Sequence, residues 1–273
     1  MLKLRVLTAL PLGLAVLWVV WGAPAAVLPG LIAAVSGLGA WEWARLGGLQ
    51  APVWRAAYCL GVLLLLGILA LGGVAEGGLW VVLAVLWWLA VGGLLLAQAA
   101  RGGALRLSPV WRLAAGPPTL VFAWLAFVAL HAQPVAGPFL VTLLLLLVWG
   151  ADIGGYFVGR AWGRHKLAPA ISPGKTWEGA AGSLALALLA ALTLWALAPT
   201  LGAPRPGLGW LLGASVVTVA AGIAGDLFES LLKRQAGVKD SGRLLPGHGG
   251  VLDRVDALLA AAPVLAAGLA VQA

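Results

Sequence analysis

The chain has 273 residues, of which 62% are hydrophobic and 10% are charged, and its formal net charge is +8. Soluble domains carry about a quarter charged residues, so this composition excludes a soluble protein and predicts an integral membrane protein. The single cysteine, Cys59, excludes an intrachain disulfide and a cysteine-based zinc site. Membrane topology explains the positive charge better than nucleic-acid binding does, because Lys and Arg concentrate in cytoplasmic loops.

Hydropathy predicts an all-α, polytopic fold. The apolar stretches have about the 20 residues with which a helix crosses the hydrocarbon core, and the alternation of a transmembrane β-barrel is not seen. Pro117 and Pro118 predict a short or kinked fifth span. The nine predicted spans lie near 6–22, 25–41, 56–73, 79–98, 113–131, 138–158, 178–198, 208–232 and 251–271.

The basic residues predict the orientation of these spans. With the N-terminus in the cytoplasm and the C-terminus outside, 16 of the 17 basic residues fall in cytoplasmic segments and only Arg205 lies outside. Lys3 and Arg5, followed by an apolar run and Ala23-Pro24-Ala25, also resemble a cleavable signal peptide. The second span follows almost at once, which favours a helical hairpin, but cleavage of the first span stays open.

The acidic residues divide the chain into two predicted regions. Residues 1–131 contain only Glu42 and Glu76, and we expect them to form a transmembrane scaffold of about five helices with a structural role. The other seven acids lie in 132–273, the predicted catalytic transmembrane region. Its predicted cytoplasmic loops, 159–178 and 233–250, lie on the same side of the membrane and can therefore meet.

The eighth span carries polar residues on one face. Asp226, Ser230 and Lys233 stand at i, i+4 and i+7, with Glu229 beside them. Charged groups in membrane helices are costly, so they usually face a polar cavity. We expect a ligand or metal role for this face, and a surface pair of Asp226 with Lys233 is the structural alternative.

The ninth span begins with two further acids. Asp253 and Asp256 stand at i and i+3, on one helix face. Acids at a helix N-terminus also serve as simple caps, which is the alternative interpretation. Hard carboxylate ligands without cysteine, and with little histidine, suit Mg²⁺ together with water and substrate phosphates.

Glycine-rich loops flank these acids. Lys239-Asp240-Ser241-Gly242-Arg243 and Pro246-Gly247-His248-Gly249-Gly250 precede the ninth span. Backbone N–H groups in such a loop can bind phosphate at a helix N-terminus, although the glycines would also suit a tight turn. His248 is either a turn residue or a phosphate donor.

The other cytoplasmic loop contains Gly174-Lys175-Thr176. It is not a Walker A motif, because Pro169 stands where the leading glycine is required. We still expect Lys175 to contact phosphate and Glu178 to cap the seventh span. His131 and His165 have no partner pattern and are interpreted as interfacial polar residues.

Residues 230–256 resemble the signature of the phosphatidate cytidylyltransferases, also called CDP-diacylglycerol synthases. The matching pattern is Ser230-x-x-Lys233-Arg234, Lys239-Asp240 and Pro246-Gly-His-Gly-Gly250-x-x-Asp253-Arg254-x-Asp256. Asp152-x-x-Gly-Tyr156-x-x-Gly159 and Ser172-Pro-x-Lys175-Thr-Trp-Glu-Gly179 are also similar to the family. Residues 1–131 agree only in hydropathy and length. Gly174 departs from the family, in which a polar residue is common at this position.

The resemblance implies transfer of the cytidylyl group of CTP to phosphatidate, with pyrophosphate as the leaving group. It implies that Asp226 and Asp253 hold Mg²⁺, with room for a second cation, and that Lys233, Lys175 and Asp256 are catalytic. The implied substrate-binding residues are Ser230, Arg234, Lys239, Asp240, Gly247, His248, Gly249, Gly250, Arg254, Asp152, Tyr156 and Ser172.

The partners implied are CTP, phosphatidate and the lipid bilayer, without nucleic acid, and a homodimer stays open. We expect an integral protein of the plasma (inner) membrane whose active site faces the cytoplasm, where CTP is available. Acyl-chain preference, use of dCTP and the lipid entry path are not predicted.

Two other functions fit parts of the pattern. One is an enzyme that uses CTP with another lipid, such as an isoprenoid-derived phospholipid or a polyprenol. The other is an ion-coupled transporter, whose acids we would expect near the bilayer midplane and in repeated halves. The acids of this chain gather at one interface in one half.

Overall fold

The computed structural model describes residues 2–244 and 249–271, and in these residues it is helical apart from one β-hairpin. The first helices are α1 (Leu2–Gly22), α2 (Val27–Leu46), α3 (Pro52–Leu71), α4 (Leu79–Ala100) and α5 (Pro109–Ala114). They are followed by α6 (Gly116–His131), α7 (Gly137–Trp162), β1 (Lys166–Ala168), β2 (Ser172–Thr176), α8 (Trp177–Leu197), α9 (Leu208–Gln235) and α10 (Leu252–Ala270).

Each predicted span overlaps a helix, and the fifth overlaps two, α5 and α6. Within residues 2–244 and 249–271, seven helical segments are long and apolar enough to cross a membrane, namely Val27–Leu46, Pro52–Leu71, Leu79–Ala100, Pro109–His131, Gly137–Trp162, Trp177–Leu201 and Leu208–Gln235. The helix α10 carries three charged residues near its start, Asp253, Arg254 and Asp256. The all-α membrane architecture is confirmed, while the count of nine spans and the orientation stay predictions.

The two adjacent prolines interrupt the fifth span, as predicted. The helix α5 ends at Ala114, and α6 begins at Gly116 with proline in its first turn. Proline is tolerated there because the first N–H groups of a helix have no intrahelical acceptor. Ser108 caps α5, since its side chain accepts a hydrogen bond from the N–H of Trp111.

A cage of tryptophan rings fixes α9 against the N-terminal helices. Phe228, which is only 1% exposed, lies with its ring centroid 5.9–6.4 Å from those of four indole rings. Aromatic pairs at such separations add to the stabilisation from burial. Phe228 lies between Asp226 and Glu229 in the chain, so this cage positions both acids. The four indole rings belong to Trp43, Trp87, Trp88 and Trp111.

Small residues allow α7 and α8 to approach closely. A Cβ atom at Gly154 would overlap the carbonyl oxygen of Gly182, and one at Gly155 would lie 2.5 Å from Oγ of Ser183. The Ser183 hydroxyl also donates to the carbonyl oxygen of Ala151, at 2.7 Å. Small residues at such contacts are typical of membrane helix pairs, whose association depends on close packing.

We expect Gly154→Ala to lower the stability of the folded protein by about 1–3 kcal/mol, because the added methyl group forces α7 away from α8. Gly61→Ala is the matched control, since Gly61 is an exposed helical residue with no atom within 4 Å of an added Cβ. Thermal unfolding in detergent measures both variants. Equal midpoints for the two would contradict the close packing described.

The hairpin between α7 and α8 was not predicted. Strands β1 and β2 are antiparallel, with Lys166 opposite Thr176 and Ala168 opposite Ser172. The hydroxyl of Thr176 accepts a hydrogen bond from the N–H of Gly179 at 3.1 Å and caps α8. The prediction that Glu178 caps this helix is therefore wrong. Its carboxylate instead accepts hydrogen bonds from the N–H groups of Arg164 and His165 and contacts the His165 ring.

Candidate active site

A buried lysine joins α9 to α10. Nζ of Lys233 lies 2.5 Å from Oε2 of Glu229 and 2.6 Å from Oδ1 of Asp253. The side chains are 12%, 2% and 8% exposed, respectively, so this three-residue ion network is largely removed from solvent. Removing one partner from such a network is strongly destabilising, because the remaining charge is left uncompensated.

The other oxygen of Asp253 organises the loop that precedes α10. Oδ2 accepts hydrogen bonds from the backbone N–H of Ser241 at 2.9 Å and from that of Gly250 at 2.8 Å. The hydroxyl of Ser241 also lies 2.9 Å from this oxygen. One carboxylate therefore connects Lys233 to both described ends of the glycine-rich loop. Asp253 lies in the first turn of α10, and its predicted metal role stays a prediction.

A second ion pair joins the hairpin to α9. Nζ of Lys175, at the end of β2, lies 2.6 Å from Oδ2 of Asp226. The hydroxyl of Ser230 donates to Oδ1 of Asp226 at 3.3 Å, as their shared helix face predicts. Lys233 pairs with Glu229 and Asp253, so the alternative of an Asp226–Lys233 pair is wrong. Residues seven apart are separated by about 10.5 Å along a helix axis, which is too far for direct contact.

Glu42 is the site residue that the sequence analysis missed. It lies on α2 and is 1% exposed. Its carboxylate accepts hydrogen bonds from the N–H groups of Val251 and Leu252, at 3.0 and 2.9 Å, and from the hydroxyl of Ser241 at 2.9 Å. It thus binds the N-terminus of α10, where a negative charge is favoured. The signal was present, because an acid inside an apolar helix is costly unless it is satisfied.

The glycines of the loop make room for Glu42. A Cβ atom at Gly242 would overlap the Glu42 carboxylate, and one at Gly250 would overlap the hydroxyl of Ser241. Gly249 has φ of +86°, a conformation that favours glycine. The close approach of the backbone to Glu42 and Ser241 therefore requires glycine at Gly242 and Gly250. Phosphate binding by this loop stays a prediction.

A cavity of about 410 Å³ lies beside the Lys175–Asp226 pair, between α7, α8, α9 and α10. Its polar lining includes Asp152, Tyr156 and Arg160, and the Arg160 guanidinium donates to the Tyr156 hydroxyl at 2.8 Å. Much of the remaining lining is apolar, including Val148 and Ile223. The cavity therefore offers both cations and apolar walls to a ligand.

The other predicted substrate-binding residues lie in several different parts of the fold. Arg234, Lys239 and Asp240 are exposed, and the backbone carbonyl of Asp240 accepts a hydrogen bond from Arg45 at 2.9 Å. Ser172 lies in β2, three residues before Lys175. Arg254 is close enough to Asp152 for electrostatic interaction. Gly247 and His248 lie outside the described residues.

The predicted interfacial histidines have partners. Nε2 of His131 lies 3.2 Å from the carbonyl oxygen of Val20. Nδ1 of His165 lies 2.5 Å from Oε1 of Glu178.

Carboxylates from α7, α9 and α10 lie near one another. The Asp256 carboxylate interacts electrostatically with those of Asp152, Asp226 and Glu229. In the described part of the chain, Oε1 of Glu229 is buried without a hydrogen-bond partner. With Asp253, five carboxylates lie near Lys175 and Lys233. Among residues 2–244 and 249–271, no three His, Cys, Asp or Glu side chains are arranged to hold a metal by themselves. Carboxylate oxygens are the ligand type that Mg²⁺ takes together with water and substrate phosphates, and the predicted metal site stays a prediction.

Comparison with known proteins identifies the family of the chain. The model of the cytidylyltransferase family matches residues 3–271. Phosphatidate cytidylyltransferase of Pseudomonas aeruginosa is 44% identical, over 98% of this chain and 96% of that protein. Those of Haemophilus influenzae and Brucella suis are each 38% identical, over 96% and 97% of this chain and 96% and 92% of their own lengths. The chain therefore belongs to the cytidylyltransferase family.

Proposed function

We propose that this protein transfers the cytidylyl group of CTP to phosphatidate, giving CDP-diacylglycerol and pyrophosphate. Membership of the family along almost the whole chain supports this reaction. The structural observation that supports a site for this reaction is that two ion networks meet on α9. Lys175 reaches Asp226 from the hairpin, and Asp253 reaches Lys233 from the start of α10.

The chemistry requires positioning and charge neutralisation. An oxygen of the phosphatidate phosphate attacks the α-phosphorus of CTP and forms a new P–O bond, while the bond from the α-phosphorus to the bridging oxygen breaks and pyrophosphate leaves. Such a transfer depends on cations placed around the phosphates. Lys175 and Lys233 are assigned this role. Each is held by a carboxylate that fixes its position before the substrates bind.

Asp226 and Asp253 would hold Mg²⁺, which would neutralise charge on the triphosphate when bound. Both carboxylates are paired with a lysine ammonium group in this structure, so holding Mg²⁺ would require each to exchange that contact when the substrate phosphates bind. Asp256 lies beside them and is assigned to the same cation cluster. Oε1 of Glu229, which is buried without a hydrogen-bond partner among the described residues, is the oxygen we assign to a second cation.

The cavity beside Lys175 is assigned to phosphatidate. Its cationic edge suits the phosphate, and its apolar walls suit the start of the acyl chains. Ile153 and Phe157, which are 50% and 65% exposed, continue an apolar surface on α7 toward the lipid. The glycine-rich loop is assigned to CTP, and the whole site is assigned to the cytoplasmic face of the inner membrane.

The test is pyrophosphate release by the purified protein in detergent with CTP and Mg²⁺. We expect release only when phosphatidate is also present, together with a liponucleotide product. Phosphatidate, a polyprenol and an isoprenoid-derived phospholipid are compared as acceptors. Release that depends on another lipid, but not on phosphatidate, would contradict the assigned acceptor. A folded protein inactive with every lipid would contradict the reaction.

A further inference from the structure

A second pocket, separate from the Lys175 cavity, lies where the loop after α9 meets the ends of α2 and α3. Its volume is about 250 Å³. The lining residues are Trp41, Glu42, Arg45, Arg55, Ser241, Gly242, Arg243 and Leu244. Three arginines and one carboxylate therefore surround a small space, and the excess of positive charge is two.

The guanidinium groups have few partners inside the protein. Arg45 donates one hydrogen bond, to the carbonyl oxygen of Asp240, and its Nε is buried without a partner among the described residues. Arg55 donates from Nε to the carbonyl oxygen of Trp41 at 3.2 Å, and its guanidinium stacks on the Trp41 ring at 4.1 Å from the centroid. A guanidinium has five N–H donors, so most donors of both groups stay available.

The carboxylate in the pocket offsets only one of the three positive charges. Both oxygens of Glu42 accept hydrogen bonds from the loop and from the start of α10. In the described part of the chain, none of the three arginines forms an ion pair with a carboxylate. Arg55 is repelled by Arg45 and attracted by Glu42. An excess of two positive charges stays in the pocket, so the arrangement suits an anionic ligand.

We propose that the pocket formed by Arg45, Arg55 and Arg243 binds a phosphoryl group. The planar guanidinium donates two parallel hydrogen bonds to phosphate oxygens, which makes arginine well suited to this anion. The group has two sources, the phosphate of a lipid headgroup and the phosphates of a free nucleotide or pyrophosphate. Because Ser241 lines the pocket and also contacts Asp253, an anion bound here braces the loop that leads into α10. This inference rests on the proposed function, since phosphatidate, CTP and pyrophosphate take part in that reaction, and binding without turnover tests it separately.

The test uses Arg55→Gln combined with Arg243→Gln, which leaves the Arg45–Asp240 contact in place. The control is Arg101→Gln combined with Arg106→Gln, which removes the same charge from two exposed residues between α4 and α5. The full-length proteins are placed in phosphatidylcholine nanodiscs, and pyrophosphate binding is measured by calorimetry. In a second arm, the nanodiscs contain a minor fraction of phosphatidate, and the lipid retained by each protein is counted by native mass spectrometry.

If the phosphoryl group comes from solution, the Arg55/Arg243 variant should bind pyrophosphate at least tenfold more weakly than the control. If it comes from a lipid headgroup, the variant should instead retain one phosphatidate fewer per chain. Replacement of the same two residues by Lys should restore part of the binding in either case. If the Arg55/Arg243 variant equals the control in both arms, the proposal is wrong. Arg243→Gln alone, at an exposed loop residue, should weaken binding in the same direction if the double variant proves unstable.

Discussion

Asp253→Asn is expected to reduce CDP-diacylglycerol formation by at least about 10²–10³-fold, the loss typical when one preorganised electrostatic contact is removed. The substitution removes the charge that pairs with Lys233. The NH₂ group of the asparagine must replace one of the two oxygens. If it replaces Oδ2, the N–H groups of Ser241 and Gly250 lose their acceptor, and if it replaces Oδ1, Lys233 loses its partner. Asp226→Asn is expected to have an effect of similar size through Lys175.

Turnover of both variants is measured with saturating CTP, Mg²⁺ and phosphatidate, in protein whose fold in the membrane is checked by thermal unfolding. Glu76→Gln is the control, because Glu76 is exposed in the turn between α3 and α4 and contacts no part of the site. Activity within tenfold of the unmodified protein in either Asp variant would disprove the assignment of that carboxylate.

Glu42→Gln is the second substitution for which we expect a large effect, although Glu42 lies far from the family motif in the chain. A glutamine keeps one acceptor oxygen but turns its NH₂ group toward the N–H of either Val251 or Leu252, which donate to different oxygens of Glu42. A buried donor left without an acceptor costs about 1–3 kcal/mol, and more where the lost acceptor was charged. We expect a lower unfolding midpoint and at least a tenfold loss of kcat, because the loop held by Ser241 shifts relative to Asp253.

We assign Glu42 a positioning role, so its test must separate an effect on the geometry of the site from an effect on the stability of the fold. Leu130→Ala is the matched variant, since Leu130 is fully buried at the end of α6 remote from the Glu42 contacts and its loss also destabilises the core. The dependence of rate on Mg²⁺ concentration is compared at a temperature where both variants are folded. Glu42→Gln should require more Mg²⁺, whereas Leu130→Ala should not. The same Mg²⁺ dependence in the two variants would leave Glu42 a purely structural role.

Hydropathy predicted the helices well because long apolar runs leave few alternatives in a membrane. The predicted ends of the helices were less accurate. The helix α2 continues to Leu46 and α9 to Gln235, beyond the predicted ends at 41 and 232. Helices extend past the apolar segment wherever hydrogen bonding continues, and the carbonyls near the end of α2 also accept bonds from Arg55 and Arg112. The hairpin was missed because its strands are short and contain Pro173 and Gly174.

The candidate site was predicted where its parts share a helix or a motif. Asp226 and Ser230 are in contact as their spacing requires, and Asp253 lies at the start of its helix. The partners that the sequence analysis did not pair come from separate elements. Lys175 meets Asp226 from the hairpin, and Glu42 meets Ser241 across 199 residues of chain. Helical periodicity constrains neighbours within a few turns and carries no information about such contacts.

The reaction we propose transfers the cytidylyl group of CTP, rather than its γ-phosphoryl group, to phosphatidate. The most direct measurement compares CTP labelled with ³²P at the α-phosphate and at the γ-phosphate, supplied with phosphatidate in nanodiscs. We expect the α label to enter the lipid and the γ label to be recovered in pyrophosphate. Entry of the γ label into the lipid would contradict the proposed reaction.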